Sequence, residues 1–122
     1  MVGKTKTFED LRIWKDSHRL VLEIYKIVKK FPREEKYILI SQLLRAVISV
    51  PANIVEGFYR NTTKEFIQFL YIARGSVGEV IYFLILARDL TYISKKEHLL
   101  LSENYEKLAR SINALINSLK KK

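Results

Sequence analysis

The stretch R-A-V-I-S-V-P-A-N-I-V-E-G, Arg45–Gly57, decides the fold class. Its polar residues extend a longer series, Gln42, Arg45, Ser49, Asn53, Glu56 and Arg60, at steps of three and four. At 100° per residue these six fall within about 80° of arc, with apolar residues on both flanks. That is the period of a helix, not of a strand. Pro51 lies inside it, where a proline removes a backbone hydrogen bond and crowds the preceding turn, so a kink or break is expected between Val47 and Pro51.

Working outward, the rest of the chain reads the same way. A first helix is expected over Glu9–Lys30, a second over Arg33–Phe58, a third over Thr63–Leu90 and a fourth from Ser94 to about Leu119. Pro32, Glu34 and Glu35 suit the start of the second helix. Thr62 with Glu65 and Ser94 with Glu97 have the spacing of capping boxes. Only 4 glycines and 2 prolines occur in 122 residues, too few turn formers for a β-rich fold. Short connections make neighbouring helices antiparallel. The expected architecture is all-α: an up-and-down bundle of four helices, with a flexible basic segment at 1–7, one domain over 8–119 and a basic tail at 120–122.

The first helix carries two apolar seams. One is Leu11, Trp14, His18, Val21, Tyr25 and Val28; the other is Ile13, Ser17, Leu20, Ile24, Ile27 and Phe31. A helix packed on one partner needs one seam, so two imply two neighbours or another subunit. On this reading Ile13, Leu20, Ile24 and Ile27 form an oligomer interface. His18 is expected to be packed and His98 exposed. Gly75 and Gly78, mid-helix at a cost of about 1 kcal/mol each, are expected where another helix approaches closely.

Hydrophobic residues make up 48% of the chain, enough for a core without disulfides, and there is no cysteine. Thiolate metal sites and cysteine nucleophiles are therefore excluded. The two histidines lack carboxylate partners at metal-ligand spacing, so no metal or other cofactor is expected. Phosphate loops and nucleophile elbows are absent, which argues against an enzyme. The apolar run Phe66–Ala87 is interrupted by Gln68, Arg74, Ser76 and Glu79 and reads as a buried helix, not a membrane span. A cytoplasmic location fits the lack of cysteine and of a signal-like leader.

The formal net charge is +9, spread evenly along the chain: 12 basic against 7 acidic residues in 1–61, and 10 against 6 in 62–122. Such an excess attracts polyanions, nucleic acid first. Arg12, Lys15, Arg19, Lys26 and Lys30 fall within about 60° of arc on the first helix, opposite its apolar seams. They form either a nucleic-acid-binding track along a phosphate backbone or the solvated face of a surface helix. The helix 2 stripe likewise leaves three readings open: a solvated face, a ligand site, or a polar network buried against the third helix. In the last, antiparallel pairing sets Arg45 level with Val77, between Arg74 and Glu79, and Asn53 beside Gln68. Arg45 and Glu79 would then be an ion pair.

Three segments taken together, F-E-D-L-R-I-W-K-D-S-H-R-L at Phe8–Leu20, Arg45–Gly57, and F-I-Q-F-L-Y-I-A-R-G-S-V-G-E at Phe66–Glu79, resemble the 23S rRNA intervening-sequence protein family, also called the four-helix-bundle protein family. The family's motif positions fall on Arg45, Ser49, Pro51, Asn53, Glu56, Gly57, Arg60, Gly75, Ser76 and Glu79. This chain departs from the pattern at Val47, Val55 and Phe58–Tyr59. The resemblance implies a four-helix bundle assembled as a homo-oligomeric ring, a pentamer, that binds RNA or other nucleic acid and has no catalytic residues. A related group serves as accessory proteins of diversity-generating retroelements. It supplies the alternative of an interaction adaptor whose partner is a reverse transcriptase.

Overall fold

A computed structural model describes residues 7–121. The basic segment expected at 1–7 lies outside them except for Thr7, as does Lys122 of the expected tail. The four helices are α1 (Arg12–Ile27), α2 (Leu39–Phe58), α3 (Thr63–Asp89) and α4 (Lys95–Lys120). No strand occurs among the described residues. Helix α2 packs against both α1 and α3, and α4 packs against α3 and α1, which closes the bundle. The α2–α3 contact is the most extensive and the α1–α4 contact the least.

The ends of the helices show why the expected bounds shift. Thr7 caps a 3-10 turn at Phe8–Asp10, and the extended backbone of Leu11 separates that turn from α1. Arg33–Glu35 is likewise an isolated 3-10 turn, and the non-helical backbone of Ile38 delays α2 to Leu39. Thr62 and Ser94 cap α3 and α4, and at Ser94 both halves of the capping box are made. Helix α4 runs through Lys120, so the basic tail begins as helix. Helix α2 continues without a break through Pro51, whose ring is buried.

Helix α3 ends in a tight turn. Tyr92 donates its backbone N–H to Ala87 O and Thr91 donates to Arg88 O, closing the last turn as a Schellman motif. Thr91 adopts φ 66°, a left-handed conformation that a β-branched residue rarely takes and glycine takes freely.

The core corrects the expected oligomer interface. Ile13, Leu20 and Ile24 are 4%, 1% and 0% exposed within a single chain. Ile27 is half-buried against the same core. The seam from Ile13 to Phe31 is buried or half-buried where α1 meets α2 and α4 of the same molecule. Of the other seam Leu11, Val21 and Val28 are buried, Trp14 is half-buried, and His18 and Tyr25 are exposed. One bundle covers the part of that wide face expected to be the oligomer interface and leaves His18 and Tyr25 in solvent.

The expectation of a buried third helix holds for one face only. Phe66, Leu70, Ala73, Val77, Val80, Leu84 and Ala87 are fully enclosed, while Ile72, Gly75, Gly78 and Tyr82 lie open. Both α2 and α3 are long and apolar enough to cross a bilayer, but their inward faces fill the core of the bundle.

Close helix approach occurs at a different glycine from those expected. A Cβ at Gly57 would stand 2.7 Å from Phe69 Cβ and 2.8 Å from Phe66 Cδ1. At Gly75 and Gly78 it would meet no atom within 4 Å. Gly57 therefore lets the end of α2 touch the start of α3, and no helix of this chain approaches the α3 glycines.

Candidate nucleic-acid interface

The five cations expected in one stripe, Arg12, Lys15, Arg19 and Lys26 on α1 and Lys30 in the 3-10 turn Val28–Lys30 that follows it, are all exposed. The core takes the opposite side of the helix, so lysine and arginine stems lie over its surface with their charged heads in water. They do not act as five equivalent charges. Asp16 accepts from Arg19 at 3.3 Å and stands 3.9 Å from the Arg12 guanidinium. Lys30 donates to Glu97 of α4. Lys15 and Lys26 make no ion pair among the described residues.

Glu97 is a junction between the two helices. Its carboxylate accepts from Lys30 and from the backbone N–H of Ser94. The Lys30 hydrogen bond and then the Ser94 N–H hold its carboxyl below the usual carboxylate range. Nearby, Tyr92 donates to Glu35 at 2.7 Å, and that hydrogen bond to an anion raises the phenol above its ordinary value.

Helix α4 adds residues that the stripe did not include. Asn104 and Lys107 line one groove with Arg12, Asp16 and Arg19, and Leu20 and Leu108 close its floor. The signal available in the sequence was charge order: from Lys107 to Lys121 the chain has basic residues and no acidic one.

The α2 stripe resolves into two parts. Ser49 Oγ lies 2.8 Å from Ser76 Oγ of α3, and Asn53 donates its side-chain amide to Ser49 O and Oγ at 2.8 and 2.9 Å. This small network sits at the α2–α3 seam, with Ser76 buried. Ser49 faces Ser76, three residues from the expected level. The wider network is not formed. Gln42, Arg45, Glu56, Arg60, Gln68, Arg74 and Glu79 are exposed, and Arg45 and Glu79 do not pair. Burying that pair would have cost each charge its hydration, and the bundle leaves both in water. Glu56 binds Arg60 at 3.1 Å along the helix, Arg60 lies over the Phe69 ring at 4.7 Å, and Arg74 reaches Asn113 at 2.5 Å.

The histidines reverse their expected places. His18 is exposed and stacks on Trp14 at 4.9 Å. His98 is half-buried, with Nε2 enclosed and unbonded. Tyr105 is fully buried and its hydroxyl has no partner, so burial pushes its phenol far above the ordinary value. Among the described residues no three His, Cys, Asp or Glu side chains form a group that could hold a metal ion.

These features define a small helical bundle whose distinguishing chemistry lies mainly on its outer faces. The family model of the 23S rRNA-intervening sequence protein matches residues 9–114, and the chain belongs to that family. The chain is similar to a protein of unknown function from the S23 ribosomal protein family of Bacteroides thetaiotaomicron, known by its crystal structure. The two share 24% identity and a TM-score of 0.79 over 85% of this chain and 97% of the other. No curated protein matches.

Proposed function

We propose that this protein is a non-enzymatic, cytoplasmic, homo-oligomeric nucleic-acid-binding protein that holds structured RNA, ribosomal RNA foremost, through its basic helix surfaces. One observation carries the reading: Arg12, Lys15, Arg19 and Lys26 all stand in solvent on one side of α1, and Lys30 is exposed in the 3-10 turn that follows it. Such a row contacts phosphates and positions a backbone without reading bases. The family's association with the 23S rRNA intervening sequence supports RNA as the polyanion.

The oligomer, a five-membered ring by family likeness, uses the α2–α3 face in place of Ile13, Leu20, Ile24 and Ile27. Ile48, Ile72 and Tyr82 are 42%, 50% and 57% exposed, beside the open Gly75 and Gly78. Exposed apolar residues grouped in this way, with the exposed Glu79 beside them, are characteristic of a protein contact. A ring repeats the basic surface and multiplies weak contacts by avidity. The same open face favours one second reading, an adaptor whose partner on it is a reverse transcriptase. Titration of ribosomal RNA fragments at two salt concentrations tests the main reading. Binding that weakens steeply with salt is expected; no binding at low salt contradicts it.

A further inference from the structure

We infer that the groove between α1 and α4 at Arg12, Arg19 and Lys107 is the seat of a nucleic-acid phosphodiester, and that Asp16 is a built-in competitor for it. The inference rests on the nucleic-acid reading and divides its stripe into a binding end and an idle end.

Three cations and one anion line this groove, an excess of two positive charges. Helices α1 and α4 make the least contact of the neighbouring pairs, so a cleft opens between them. Its floor is the buried pair Leu20 and Leu108, a low-dielectric wall that strengthens the field above it. The Arg12 and Arg19 side chains are 81% and 60% exposed, while that of Asp16 is 24% exposed. Both guanidinium groups are thus open to solvent while Asp16 is largely covered, which leaves them able to take a second oxyanion. A phosphate offers them the same paired oxygens as a carboxylate. Arg110 extends the cationic surface along α4 beside Lys107, in a depression that Glu103 and Glu106 also line.

At the other end of the stripe the charges cancel. Glu23, Lys26, Lys30 and Glu97 share one depression, two cations with two anions. Lys30 is held by Glu97, itself occupied in capping α4. A phosphate arriving there gains no net attraction.

The test is titration of a mixed-sequence RNA duplex against charge-matched variants of the full chain, across a salt series, with helical circular dichroism confirming the fold of each. Asp16→Asn tightens binding by about 3- to 10-fold and steepens the salt dependence by about one phosphate contact, while Glu23→Gln changes affinity less than about 2-fold. The pair Arg12→Gln with Lys107→Gln weakens binding by about 10-fold or more and lowers the salt slope by about two, against less than about 3-fold for Lys26→Gln with Lys30→Gln. Weaker binding by Asp16→Asn overturns the assignment, as does an equal response to the two matched pairs. Absence of binding by the native chain at low salt overturns the nucleic-acid reading itself, and the groove with it.

Discussion

On the α1–α4 side of the bundle the exposed positions include Arg12, Lys15, Arg19, Lys26 and Lys107; on the α2–α3 side they include Ile48, Ile72, Gly75, Gly78 and Tyr82. Both rows follow the same helical period and both look away from one sealed core. The first is hydrated by its charges and is complementary to a polyanion. The second is apolar along its row, with Arg45 and Glu79 exposed on the same two helices. It gives a helix from another molecule flat access at two glycines. A bundle needs only one apolar stripe per helix, so an open apolar row on α3 is surplus to its own fold.

The largest contrast lies between inner and outer isoleucines. Ile24→Ala empties a fully buried site and should cost about 2–5 kcal/mol in chemical unfolding. Ile72→Ala, measured on dilute chain, should change stability by less than about 0.5 kcal/mol. A large loss for Ile72→Ala at low concentration would show the outer row to be part of the monomer core.

The glycines give the next contrast. Gly57→Ala forces a methyl group against Phe66 and Phe69 and should destabilise by about 1–3 kcal/mol. Gly78→Ala adds helix propensity in open space and should stabilise an isolated chain by up to about 1 kcal/mol. If the α3 face is covered by a second copy, Gly78→Ala should also weaken association, seen as a lower mass at a given concentration.

A smaller effect sits at the turn into α4. Thr91→Gly relieves a side chain held at positive φ, at the expense of a more flexible unfolded chain. A net gain of about 0.5–1 kcal/mol is expected in thermal unfolding.

The smallest is a pH effect at the α1–α4 junction. The Glu97 carboxyl is depressed below 4.5 in the folded protein by Lys30 and the Ser94 N–H. Its contribution is therefore fully present above 4.5 and is lost as pH falls through the lower folded-state value. Glu97→Gln should flatten the stability profile in that acid window and leave the profile above it parallel to that of the native chain. An unchanged acid slope would show that the Lys30 contact carries no linkage.

The four helices and the caps of α3 and α4 were legible because each follows from local chemistry: the period of the apolar residues, Thr62, Ser94 and the rarity of glycine. The starts of α1 and α2 were not legible, since 3-10 turns stand where helix was expected. The partners of each face were not. The seams of α1 announced a wide apolar face, and nothing in their spacing could say that α2 and α4 enclose one seam and leave His18 and Tyr25 of the other in solvent. Gly57 and Gly75 look alike in a sequence, and only the register of α2 on α3 shows which one touches a phenylalanine. The α2 stripe marked a real seam at Ser49 and Asn53, midway along the helix, but the same side opens to solvent towards the ends, at Gln42 and Arg60, and along its Arg45–Glu56 edge. Lys107 was missed because it belongs to another helix, brought beside Arg12 by the closing of the bundle.

The division between a charged binding face and an apolar assembly face is tested most directly by light-scattering mass of the native chain, Gly78→Arg, and Lys15→Glu with Lys26→Glu at one micromolar-range concentration. The expected result is an oligomer for the native chain and the lysine variant, with a folded single chain for Gly78→Arg. A native chain with the mass of one copy, or an oligomer lost only when the lysines are reversed, would contradict it.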